Sequence, residues 1–138
     1  MSNGFEPIAD DEILYRRIPV SQGWYDPQKS PKPAPEAFRP SRSDTTGISL
    51  SRAKHVSLDQ ASKGPSRQGY FVVKLRTGDL RAKGIEVVPD GLGGVPGHAE
   101  IKELRYDNGR TDQALEMARI LAEEVCGEVL GPFVSKAG

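Results

Sequence analysis

The chain is predicted to fold as one α+β domain: a mixed or mostly antiparallel sheet of four to six strands, a C-terminal helix packed on one face, and a long proline-rich loop near the N-terminus. Three observations carry this prediction. Tyr70 to Leu75 (YFVVKL) is a nearly continuous aromatic and β-branched run, the pattern of a strand near a sheet centre. Ala114, Leu115, Ala118, Leu121, Ala122 and Val125 recur at the spacing of one helical face. Between Ser21 and Asp44 lie five prolines, which cannot donate to a ladder and which hold the preceding residue extended. A chain of 138 residues suits a single core, and its apolar residues crowd after Gly69. The domain is therefore placed at 13–134, with its loop at 21–44, between flexible ends at 1–12 and 135–138.

Taken in order, Ile13, Leu14, Tyr15 and Ile18 form a first strand closed by Pro19. The loop at 21–44 follows, with Trp24, Tyr25 and Phe38 tending to dock, because three aromatics left in water would make an unusual surface. Gly47 to Leu50 is a second strand, and Ser57 caps one or two helical turns that end at Gly64 and Pro65. After YFVVKL, Thr77 to Lys83 form a short helix stopped by Gly84, and Ile85 to Val88 a further strand before Pro89. The glycine-rich DGLGGVPG segment, Asp90 to Gly97, leads into a half-buried strand from His98 to Leu104. Thr111 caps the C-terminal helix, with Asp112 at its positive end, and Gly127 stops it.

Nineteen basic and nineteen acidic residues cancel, so no global positive field draws the chain to nucleic acid or to an anionic membrane surface. No apolar run approaches the ~20 residues that span a bilayer, and the N-terminus lacks the basic and apolar regions of a signal peptide. Cys126 is the sole cysteine, which excludes an intrachain disulfide and a multi-cysteine zinc site. These features predict a cytoplasmic protein with no membrane partner and no nucleic acid.

Few residues offer chemistry. GLGGVPG is neither a Walker sequence nor GxGxxG, contains Pro96 and precedes a strand, so it reads as a flexible hairpin or connection. His55 reads as an exposed polar residue and His98 as a strand-entry residue bonding a loop carbonyl; nothing in their spacing demands a metal. Cys126 beside Val125 reads as a small buried hydrophobe. What the chain displays most openly is an aromatic, proline-rich segment with basic flanks. This predicts a non-catalytic domain that docks a protein partner through Trp24, Tyr25, Phe38, Arg39 and Arg42, with no cofactor and no metal.

A second reading rests on three short motifs. Arg16 in LYR, Ser49 in GISLS and Glu100 in HAEI occur in the order Arg, Ser, Glu, each within a stretch of strand character. Over residues 13–104 this arrangement resembles the R-S-E set of ADP-ribosyltransferase-like domains. The resemblance implies NAD held in a cleft between two small sheets, with Arg16 on phosphate or ribose, Ser49 shaping the nicotinamide pocket and Glu100 stabilising an oxocarbenium-like transition state. Such roles suit the groups, since a guanidinium pairs bidentately with phosphate and a carboxylate steadies an electron-poor ribose. The chain departs from the family in reading Ser49-Leu50-Ser51 for Ser-Thr-Ser, in carrying His98 where Glu or Gln would precede Glu100, and in having the proline-rich loop in place of the helix that lines the cleft.

Overall fold

The computed structural model describes residues 4–90 and 95–134. Strands β1 (Ile13–Pro19), β2 (Ile48–Arg52), β3 (Tyr70–Arg76), β4 (Val88–Pro89), β5 (His98–Ile101) and β6 (Val129–Phe133) form one sheet. Their order is β4-β5-β2-β1-β3-β6, with every neighbouring pair antiparallel. Between the strands lie α1 (Leu58–Ala61), α2 (Thr77–Ala82) and α3 (Asp112–Ile120), the last continuing into a π-helical turn at Leu121–Val125.

The period of two separates the two faces of this sheet. Leu14 and Ile18 on β1, Ile48 and Leu50 on β2, Val73 and Leu75 on β3, and Ala99 and Ile101 on β5 share one cluster with Ala114, Ala118, Leu121, Ala122 and Val125 of α3 and its π turn. That cluster is the core, and it fixes the register, since a slip by one residue would turn the whole apolar set outward. On the opposite face the register aligns Tyr15 with Ser51, Ser51 with His98, and Ser49 with Glu100.

The local signals in the chain produce their elements directly. Ser57 and Gln60 exchange reciprocal bonds in a capping box on α1, and Thr111 Oγ1 accepts from the Ala114 N–H at the start of α3. Gly69, at φ +84°, lets β3 begin against β6, where a Cβ would stand 2.1 Å from the Phe133 carbonyl oxygen.

Other expectations are corrected. The strand expected at Ile85–Val88 is the two-residue β4, while Ile85 and Val87 turn into the core, and the strand from His98 stops at Ile101. β6 was not foreseen, because Gly131 and Pro132 break its strand pattern, yet at a sheet edge the missing proline donor costs no ladder bond. Residues 4–12, expected to be a flexible end, are held: Ile8 and Glu12 are buried, and Arg52 binds the Glu6 carbonyl at 2.7 Å and the Glu12 carboxylate. The other expected flexible end, 135–138, and Gly91 to Gly94 of the glycine-rich segment lie outside the described residues.

Residues 21–44 contain 3-10 turns but no strand and no α-helix. One of these turns, Pro35–Phe38, carries Phe38 to full burial among the side chains of the core cluster. Tyr25 meets Phe71 edge-on at 4.8 Å between ring centroids, and the Ala34 N–H donates to the Trp24 carbonyl at 2.7 Å. Burying a phenylalanine contributes about 2–3 kcal/mol, enough to hold a short turn that proline has already made stiff.

Candidate functional site at the β1–β2 seam

The sheet is unevenly joined. β1 pairs with β3 over its whole length, from Ile13↔Arg76 to Pro19↔Tyr70, but with β2 only at Leu14↔Arg52 and Tyr15↔Ser51. Continued, the same register would set Arg17 opposite Ser49, and no such pair forms. The Arg16 side chain spans the gap instead. Its Nη1 donates to the Ser49 carbonyl at 3.1 Å, and its Nε donates to the Ala37 carbonyl at 3.1 Å. Two neutral acceptors thus hold a guanidinium whose pKa burial lowers, Asp44 opposing that shift and the like charge of Arg17 adding to it. Arginine remains charged at neutral pH regardless.

A cavity of about 550 Å³ opens at this seam, within the usual range of small-molecule sites. Tyr15, Arg17, Ser49, Ser51 and His98 line it from the polar face of the sheet, and Gln60 and Ala61 of α1 stand over it. Trp24, Arg39, Ser41, Ser43 and Asp44 close it from the segment before β2. Among the described residues, three guanidinium groups, those of Arg16, Arg17 and Arg39, line it against a single carboxylate, Asp44, whose Oδ2 accepts from the Ser41 N–H at 2.6 Å. The local charge is positive although the chain as a whole is neutral. Arg17 sits 4.5 Å over the Tyr70 ring and donates to the Lys63 carbonyl.

Of the three residues of the Arg-Ser-Glu set, Arg16 and Ser49 line this cavity. Glu100 lies directly across from Ser49 in the β2–β5 pair and is buried. Its carboxylate accepts from Thr46 Oγ1 and borders a smaller hollow of about 240 Å³ with Asp90, Lys102 and Arg105. A further element of the site escaped the sequence reading. His98 bonds not to a loop carbonyl but to a carboxylate, its Nδ1 lying 2.6 Å from Asp90 Oδ2. Asp90 and His98 flank the glycine-rich segment, and the Asp90 N–H donates to the His98 carbonyl at 2.9 Å, so the β4–β5 hairpin brings the two together. An acidic residue and a histidine bracketing a glycine-rich segment is the signal that could have found them.

The expected partner-contact residues do not act as one surface. Phe38 is core and unavailable to a partner, because the Pro35–Phe38 turn seats it in the central cluster. Trp24 and Tyr25 are half-buried, packed against that cluster, with Trp24 turned to the cavity. Arg39 and Arg42 are exposed, and Arg39 pairs with Glu36 at 3.4 Å. Cys126 is half-buried, its thiol donates to the Ala122 carbonyl, and burial pushes its pKa up, which keeps it a weak nucleophile. His55, expected to be exposed, is half-buried and stands 2.8 Å from Glu6. Among the described residues no three His, Cys, Asp or Glu side chains gather in a way that could hold a metal ion, and no helix is long and apolar enough to cross a membrane.

No protein-family model, curated protein or solved structure matches the chain.

Proposed function

We propose that the seam cavity binds a dinucleotide of the NAD class and that the domain transfers or hydrolyses its ADP-ribosyl group. One observation carries the reading. Arg16 and Ser49, two members of the Arg-Ser-Glu set, line a single cavity, and the third, Glu100, stands opposite Ser49 in the strand register. The lining fits such a ligand in kind. Arg16, Arg17 and Arg39 suit a pyrophosphate, while Tyr15 and Trp24 offer faces and edges to its rings. Hydroxyls from Ser49 and Ser51 suit the carboxamide and ribose oxygens.

In this reading Arg16, already fixed by two carbonyls, meets the diphosphate with no further ordering of its side chain, which reduces the entropic cost of binding. Glu100 borders the neighbouring hollow rather than the seam cavity, so in this reading its negative charge acts on the ribose from across the β2–β5 pair, with its bond from Thr46 fixing where that charge lies. Titration of the protein with NAD, followed by ligand-observed NMR, tests the reading. Broadening of the nicotinamide and adenine resonances at sub-millimolar to millimolar concentration is expected, with loss of the effect when ADP-ribose competes. Absence of any change at millimolar NAD would count decisively against it.

A further inference from the structure

We infer that His98, held by Asp90, is the base that activates the acceptor hydroxyl or water in the seam cavity. The inference rests on the NAD reading and assigns it a residue that the Arg-Ser-Glu set does not contain. His98 projects from β5 on the polar face, opposite Ser51 and two residues before Glu100, and lines the same cavity as Arg16 and Ser49. Its Nδ1 is occupied by Asp90 at 2.6 Å. A carboxylate on Nδ1 makes that nitrogen the N–H bearer and leaves Nε2 as the lone-pair nitrogen of the neutral ring, while stabilising the imidazolium that forms when Nε2 takes a proton. An imidazole held in one tautomer and orientation at a cavity wall is built for proton transfer.

Neighbouring groups divide the labour. On the β4–β5 hairpin Asp90 and Glu100 carry negative charge, one turned to the imidazole and the other to Thr46. Across the cavity Arg16, Arg17 and Arg39 carry the positive charge that suits phosphate. Among the described residues that line the cavity, His98 is the one imidazole. In the step assigned to it, the acceptor oxygen forms a bond to C1′ of the nicotinamide ribose as the C1′–nitrogen bond breaks. The bonding pair goes to the ring nitrogen, and nicotinamide leaves neutral. The proton of the attacking O–H passes to His98 Nε2 and from there to solvent. Asp90 is a positioning residue, acting through the ring.

The test uses the intact protein with NAD, reading nicotinamide release in water and again with added sodium azide. Azide attacks carbon without a proton to lose, so it needs no base. For H98Q, release in water is expected to fall by about 100-fold or more, the lower end of what a positioned base supplies. NAD affinity should stay within about threefold, and azide should restore release. D90N should show a smaller loss with the same restoration. Release by H98Q at the wild-type rate would overturn the assignment, as would failure of azide to restore a folded, NAD-binding variant. A wild-type protein that binds NAD but releases no nicotinamide defeats the base assignment and the group-transfer half of the reading while NAD binding stands, whereas one that does not bind NAD removes the whole reading beneath it.

Discussion

Arg52 and Arg16 belong to opposite ends of the β1–β2 pair, and their surroundings differ in kind. At the joined end, where Leu14 pairs with Arg52, the Arg52 guanidinium is wholly buried. It donates to the Glu12 carboxylate at 2.9 and 2.7 Å, to the Glu6 carboxylate at 3.2 Å, and to the carbonyls of Gly4, Glu6 and Pro7. At the parted end Arg16 meets two carbonyls and no bonded carboxylate, and it faces a cavity. One positive charge is bonded to carboxylates inside the protein; the other is bonded to carbonyls, with Asp44 acting on it only through space. A buried charge answered by carboxylates closes a structure, whereas one held by neutral dipoles at a cavity wall remains able to attract an anion.

That contrast breaks most visibly at the closed end. R52A leaves Glu12 buried without its cation and releases the segment 4–12, so a loss of about 3–5 kcal/mol is expected, read as a fall in urea midpoint. Removing both charges, as in R52M with E12Q, should recover part of that loss. Should R52A unfold at the wild-type midpoint, the cluster is not the clasp described above.

Phe38 sharpens the comparison from the side of the core. F38A removes a fully buried ring beneath α3 and is expected to cost about 3–5 kcal/mol, again by urea denaturation. A surface contact residue would leave the midpoint unchanged, and that result would return Phe38 to the role of partner anchor.

Arg16 is expected to behave in the opposite sense to Arg52. R16A should lower stability by only about 1 kcal/mol, because water can reach the carbonyls it leaves behind at the cavity. Its affinity for NAD should fall by about 10- to 100-fold, equivalent to about 1.4–2.8 kcal/mol. R16K, which keeps the charge but not the fork that meets two carbonyls, should recover little of that affinity. If R16A proves the less stable variant and R52A the weaker binder, the assignments of the two arginines are reversed.

How far these features could be read from the chain depends on the range of the interaction behind each. Tyr70–Leu75 and the Ala114–Val125 stripe declare themselves through local period, and Ser57 and Thr111 through local capping, so the α+β sheet with its C-terminal helix was legible. Arg16, Ser49 and Glu100 were selected by motif, but the seam that gives Arg16 its reach depends on where β1 and β2 stop pairing, a long-range property with no local signature. The Asp90–His98 pair likewise needs the hairpin closed before it exists. Phe38 was misread because five nearby prolines dominate the local pattern, whereas its place is decided by what α3 leaves uncovered.

Acid offers the gentlest probe of the same comparison, because carboxylates are among the groups bonded to Arg52, whereas those bonded to Arg16 are carbonyls. Burial pushes the Glu12 carboxyl up, but the bond from Arg52, the Ala9 N–H and the charges of Arg52 and Lys54 outweigh it and hold the pKa below the usual value. A carboxylate whose pKa is lower folded than unfolded contributes stability above its unfolded pKa, and that contribution is lost as pH falls through the folded one. The closed end should therefore weaken progressively below about pH 4, where ordinary glutamates protonate. The carbonyls that hold Arg16 do not titrate, so its bonds persist over the same interval. Urea midpoints measured from pH 6 downward should show a steeper decline for wild type than for E12Q. Parallel declines would mean that Glu12 carries no special share of the closure, and that the two arginines differ less than their partners imply.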